Sequence, residues 1–204
     1  SSPIARIEPV HIHAARDHLV LTSTEILELQ QDEADTLFDS VKDIFAEMAV
    51  DIYRPKANRW FIESPSLQSL STVSTEQAQG RNIDHWMPND TTIAGVARQW
   101  RKWQNDIQMI WFNHPVNERR ASEGMLPINS IWISGIGTLS EIKPSHLLQE
   151  ANLLHSPNSC LSVLAGHLNK QHTSSLTSNA LANTLSLVSL NDPSITELWN
   201  MAGN

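Results

Sequence analysis

The sequence predicts an α+β (or mixed α/β) fold, with a mostly antiparallel or mixed sheet made from two hairpins and covered by helices. Three observations predict it. Residues 8–22 and 50–63 each read as two short β-prone runs about a polar turn. Residues 32–49 between them carry apolar side chains at helical spacing. The resulting order, ββαββ, suits an antiparallel sheet with a helix laid on one face.

The first hairpin is expected to turn at Ala14–Asp17, with His13 opposite His18, Ile12 opposite Leu19 and Val10 opposite Leu21. Period-2 alternation then puts Val10, Ile12, Leu19 and Leu21 on one face, and His11, His13 and His18 on the other. Three imidazoles on one face suit zinc in principle. No acidic or fourth ligand stands nearby, so a solvated or groove-lining polar face is the favoured reading.

In 32–49, Ala34, Leu37, Phe38, Val41, Ile44, Phe45 and Met48 form the apolar stripe, with Asp32, Glu33 and Asp35 in the first turn. Such a stripe is that of a core helix. The second hairpin, Val50–Arg54 and Arg59–Glu63, is expected to turn through Pro55–Asn58. Residues 65–88 are polar, Ser-rich and without period, which marks either a functional loop or a boundary between two lobes of one domain spanning 1–204. Arg81 in this stretch can meet an anion, although an exposed loop arginine ordinarily meets water.

Asp90 or Thr91 is expected to cap a helix over 92–113 whose stripe is Ile93, Val96, Ala97, Trp100, Trp103, Ile107, Ile110 and Trp111. Tryptophans on one stripe suit core or oligomer packing. Arg98, Arg101 and Lys102 take the solvated side. Further on, 144–155 is mixed, 158–170 reads as a helix, 171–180 as loose chain, 185–190 as a strand, and 194–201 as a closing helical turn anchored by Trp199.

Composition narrows the function. The 204 residues fit one domain and bury a sizeable core. A net charge of -8, spread rather than clustered, argues against nucleic acid and anionic membrane as partners. No apolar run approaches the roughly 20 residues that span a bilayer. No signal-peptide pattern stands at the start, and the single cysteine, Cys160, excludes an internal disulfide and suits a reducing cytoplasm. The sequence opens on Ser1 rather than Met, which leaves room for a preceding segment.

The densest signal is 114–137, HPVNERRASEGMLPINSIWISGIG. Pro115 suits the first helical position, Gly124 the left-handed residue past the helix end, and Pro127 forbids continuation. Ser130–Ser134, through Ile131, Trp132 and Ile133, reads as a buried strand leading to Gly135 and Gly137. Asn117 and Arg120, three apart, share a helix face, and the turn through Pro127 carries Asn129 back toward them. The three are expected to cluster near Gly135–Gly137, either as a cradle for a phosphate or carboxylate or as ties between helix, turn and strand.

This block resembles the archaeal-type cofactor-independent phosphoglycerate mutases, and most closely in pattern the bacterial RpfE-type regulatory proteins. Asn117, Arg120, Gly124, Pro127, Asn129, Gly135 and Gly137 carry the resemblance, with weaker support from residues 8–21, 80–83 and 105–109. An active mutase of this type implies two metal ions held by Asp and His and a Ser or Thr nucleophile, with an early Asp-Gly and a late Asp-x-x-Gly-His. No Asp-Gly occurs here, and Gly166-His167 has Val163 where the aspartate belongs. The resemblance thus implies a mutase-like scaffold without its catalytic centre or cofactor. The expected role is regulation or sensing of a small anionic ligand, with Asn117, Arg120, Asn129, Arg81, His11 and His18 as candidate contacts. The alternatives are an active metal-dependent mutase or phosphohydrolase, and a module that meets a protein partner or a second copy through the Trp-rich helix.

Overall fold

The computed structural model describes residues 2–49, 51–141, 143, 146–151, 153–155, 165–166, 168–173 and 184–186. The chain divides into two compact units, Ser1–Glu141 and Ile142–Asn204.

The first unit is a mixed α/β arrangement on an antiparallel sheet. Its central strand β1 (Ile4–Ala14) pairs along one edge with β4 (Arg59–Glu63) and then β2 (Leu19–Thr22), and along the other with β7 (Ser130–Gly137); β3 (Asp51–Lys56) extends the sheet beyond β4. Between these strands lie α1 (Thr24–Leu27), α2 (Gln31–Met48), β5 (Leu70–Ser71), α3 (Thr75–Ala78), β6 (Asn89–Asp90), α4 (Val96–Phe112) and α5 (Pro115–Ser122).

Side-chain alternation sorts β1 onto two cores. Ala5 and Ile7, with Trp60, Ile62, Ile131 and Ile133, meet the apolar stripes of α2 and α4. Val10, with Leu21 and Trp132, meets Ala78 and Ile83 on the opposite face. Segment 65–88 therefore belongs inside the first unit rather than at a lobe boundary. Thr75 Oγ1 donates to Glu8 at 2.9 Å, and Trp132 Nε1 donates to the Val73 carbonyl at 2.8 Å. Such partners hold an aperiodic stretch without any sequence period to announce it.

Several sequence expectations need correction. The first hairpin pairs Ile12 with Leu21, His13 with Val20 and Ala14 with Leu19, so its loop is residues 15–18, closed by Ala15 N–H to the His18 carbonyl at 2.8 Å. The register differs from that expected by two residues, an even shift, so the faces assigned to residues 10–13, 19 and 21 survive, whereas His18 falls in the loop and does not share the strand face of His11 and His13. The second hairpin turns at Ala57–Asn58, and Pro55 stands within β3, an edge strand where a missing N–H is tolerated. Helix α4 starts at Val96 rather than residue 92, because the Asp90 carboxylate takes the amides of Gly95 (2.7 Å) and Ala97 (2.6 Å) from outside the helix. Ile93 is consequently exposed, as is Ile110.

In the second unit, α6 (His146–Glu150) is followed by a parallel sheet in which β8 (Leu153–His155) lies between β9 (Gln171–Thr173) and β10 (Thr184–Ser186). Gln171–Thr173 was expected to be loose chain and is a strand. Cys160, His167, Trp199 and most of the expected helix 158–170 and strand 185–190 lie outside the described residues. Among the described residues, no helix is long and apolar enough to cross a membrane.

Candidate functional site

Helix α5 ends as its sequence demands. Gly124 takes φ +75°, Gly124 N–H bonds the Ala121 carbonyl, and Met125 N–H bonds the Arg120 carbonyl, a Schellman pattern. The chain then turns through 125–129 into β7, and three polar side chains clasp that turn.

Asn117 donates to the Trp111 carbonyl (2.8 Å) and the Ile128 carbonyl (2.7 Å), and accepts from Ile128 N–H (2.8 Å). Asn129 bonds both backbone groups of Ile12, each at 2.8 Å, and so continues the ladder of β1. Arg120 is 1% exposed. Its Nε donates to the Leu126 carbonyl (2.9 Å), one terminal nitrogen to Glu33 (2.8 Å) and the other to the Leu27 carbonyl. All three residues thus work on the 126–129 turn. They gather at the Ser130 end of β7, whereas Gly137 pairs with Ile4 at the other end. A separation of six to eight residues is about 20–26 Å along a strand. The expected position beside Gly135–Gly137 is therefore corrected.

Glu33 is the buried partner on α2. It completes a capping box with Gln30, and its two oxygens take Arg120 and Arg119 at 2.8 and 3.2 Å. Arg119, one residue before Arg120, is half exposed and reaches Asp32 at 3.9 Å. Above this buried pair opens a groove of about 380 Å³, lined also by Glu28 and Glu123. Sequence reading missed Arg119, Glu28 and Glu123, since none belongs to a motif. Glu28, with a rare left-handed φ of +50°, carried no sequence signal at all.

The remaining candidates lie elsewhere. His11, 8% exposed, sits 2.9 Å through Nδ1 from the Pro127 carbonyl and stacks on His13 with ring centroids 5.6 Å apart. A carbonyl only accepts, so Nδ1 carries the proton in this arrangement. Burial, with the His13 ring adding to it, lowers the His11 pKa despite the Pro127 bond. His18 belongs to the hairpin loop and pairs with Asp17 at 2.8 Å. Arg81 is exposed beyond α3. Among the described residues, no three or more His, Cys, Asp or Glu side chains are grouped so as to hold a metal ion.

On the other face of β1, Glu8 is 5% exposed, held by the Thr75 hydroxyl and by Arg6. Burial raises its pKa, against the opposing effects of the Thr75 hydroxyl and of Arg6 at 3.1 Å.

No protein-family profile matches the chain, and no curated protein matches it. Among solved structures it is similar to a cofactor-independent phosphoglycerate mutase from Thermoplasma acidophilum DSM 1728, at 14% identity and a TM-score of 0.47 over 92% of this chain and 55% of that one. It is also similar to the PH0037 protein from Pyrococcus horikoshii, at 16% identity and a TM-score of 0.42 over 91% of this chain and 46% of that one. The chain spans about half the length of these structures.

Proposed function

We propose that this protein is a regulatory, ligand-sensing module, catalytically degenerate relative to the mutases its signature block resembles, and that it acts by binding. The groove between the start of α2 and the end of α5 is its ligand site. One observation carries this reading: the buried Arg120–Glu33 pair forms a fixed floor beneath a cavity of about 380 Å³, within the size range of small-molecule sites. Arg120, Asn117 and Asn129 spend their hydrogen-bonding groups on backbone and on Glu33, which supports a scaffold role for all three. A phosphorylated or carboxylate ligand would then meet Arg119, the arginine that remains half exposed.

Thermal-shift measurements with 3-phosphoglycerate, inorganic phosphate and small amines test the reading. A ligand-dependent rise in Tm is expected, removed by Arg119→Ala where the ligand is an anion and by neutralising the groove carboxylates where it is an amine. Metal-dependent turnover of 3-phosphoglycerate would overturn it.

A second reading, a protein-interaction module, draws on a different observation. Trp100 and Trp111 point into the core, whereas Met109, Ile110 and Phe112 stand exposed at the end of α4. The same helix thus offers an apolar surface, though not the tryptophan surface expected. Concentration-dependent association that Phe112→Ser abolishes would favour this reading.

A further inference from the structure

We infer that the outer edge of β3 is an interface between two copies of this chain, which join their sheets by antiparallel pairing of β3 with β3. This goes beyond ligand sensing and does not rest on it. Strand β3 ends the sheet, and among the described residues no strand pairs with its outer side. Ile52 N–H donates instead to the Asp51 carboxylate at 2.8 Å, a side chain standing in for a neighbouring strand. Backbone groups alternate in direction along an antiparallel strand, so those of Ile52 and Arg54 face outward while those of Tyr53 face Phe61 of β4. A two-fold axis at Tyr53 lays Ile52 opposite the partner's Arg54, and Arg54 opposite the partner's Ile52. Each such pair exchanges both of its N–H···O bonds.

The charges along this edge select a second copy as the partner. Asp51 lies beside Glu63 at one end of the β3–β4 hairpin, and Lys56 beside Arg59 at the other. Among the described residues none of these four forms an ion pair, and Arg59 Nε is buried without a hydrogen-bond partner. Antiparallel self-pairing sets the acidic end of each copy beside the basic end of the other, whereas parallel pairing would set like against like. The bulge between Tyr53 and Lys56 keeps Lys56 on the sheet face of Asp51 and Tyr53, so Asp51 and the partner's Lys56 meet on one face. Tyr53 is 66% exposed and completes a row across the joined sheet: Phe61, Tyr53, the partner's Tyr53 and the partner's Phe61. Aromatic cross-strand pairs of this kind stabilise antiparallel sheets. Pro55 and the bulge stop the pairing beyond Arg54, and the two-fold uses up both edges, so the assembly closes as a dimer instead of growing.

Sedimentation equilibrium of the full chain from about 1 μM to about 1 mM tests this, since so small an interface supports only modest affinity. A reversible monomer–dimer equilibrium is expected, with amide exchange at Arg54 slowing as the dimer forms and that at Tyr53 unchanged. Tyr53→Glu sets two carboxylates against each other on the axis and should abolish dimerisation. Asp51→Lys and Lys56→Asp should each weaken it about tenfold, because the two-fold loses every screened ion pair in duplicate. Combined in one chain, the two exchanges should restore it. Neither single exchange should unfold the chain, since each puts an opposite charge beside Glu63 or Arg59. Phe112→Ser, at the exposed end of α4, should leave the dimer unchanged. A monomer throughout, growth beyond a dimer, or Arg54 exchange that ignores concentration would overturn the inference. So would association that survives Tyr53→Glu or vanishes in Phe112→Ser, or a double exchange no better than the single ones.

Discussion

Arg119 and Arg120 are adjacent on α5, share one glutamate, and occupy opposite environments. Arg120 is enclosed, with every direction of its guanidinium spent on Glu33 or a backbone carbonyl. Arg119 reaches the same Glu33 from solvent and leaves most of its donors at the groove. The difference follows from helical geometry. Successive residues are 100° apart, so one points between α5 and the 125–129 turn while the next points past the start of α2. A conspicuous arginine in a motif is thus a structural tie, and its inconspicuous neighbour is the one a ligand can reach.

The largest effect expected from breaking this contrast is that of Arg120→Ala. It takes from Glu33 its buried partner, leaving only the half-exposed Arg119 and the Gln30 N–H, and frees two backbone carbonyls, so a loss of about 3–5 kcal/mol is expected. Urea denaturation should show a large fall in midpoint. A loss below about 1 kcal/mol would mean that Arg120 is not the tie described. Asn117→Ala comes next. It removes three hydrogen bonds around Ile128 and the end of α4, all of them to buried backbone groups, for an expected cost of about 1–3 kcal/mol. Asn117→Ala, which does not line the groove, should leave affinity for groove ligands nearly unchanged in whatever fraction stays folded. A selective loss of affinity would place the ligand on the clasp instead.

Much of this clasp was legible in the sequence, and the groove was not. Pro115, Gly124 and Pro127 state a helix start, a helix end and a turn through backbone preferences that no tertiary contact overrides. The spacing of Asn117 and Arg120 places both on one face, and the Ile131–Ile133 run is a strand in any context. What could not be read is where Arg120 finds its partners. Leu27 and Glu33 lie about ninety residues earlier, and no local rule connects them. Helix α4 shows the same limit. Its period continues to Ile93, but one short carboxylate, Asp90, collects the amides that begin the helix and strips a turn from it. Carboxylates on loops carry no period, so Glu28 and Glu123 were invisible until the fold placed them on two walls of one cavity.

Acid should act on the molecule through two imidazoles that lie outside both arginine environments. Burial lowers the pKa of His11 and of His114, the N-cap of α5, whose Nδ1 accepts from Val116 N–H. A depressed folded pKa means that the unfolded chain binds protons first. The associated stability is full above the unfolded imidazole value of about 6.5, and is lost as pH falls through the lower folded values. Denaturation midpoints should therefore drop between neutral pH and mildly acid pH. His114→Asn keeps a capping acceptor without the titration and should flatten part of the slope. Glu8 has the opposite sign: its raised pKa gives stability at acid pH that is lost as pH rises through the folded value. Glu8→Gln should accordingly be neutral or stabilising at pH 7. A strong destabilisation there would show that the Arg6 and Thr75 contacts outweigh burial.

The smallest effect on stability, and the sharpest test of the comparison, belongs to Arg119→Ala. The side chain is half exposed, its carboxylate partners remain solvated or paired with Arg120, and ion pairs of this kind contribute about 0–1 kcal/mol. Melting temperature should hardly move. Affinity should move in a direction that depends on the ligand's charge. Without Arg119 the groove gains net negative charge, so an amine ligand should bind more tightly and a phosphorylated one should lose its cation. Measuring both on one variant therefore reads the sign of the ligand without first identifying it. A large drop in Tm with no change in either affinity would make Arg119 a tie like its neighbour, and the contrast between the two arginines would vanish.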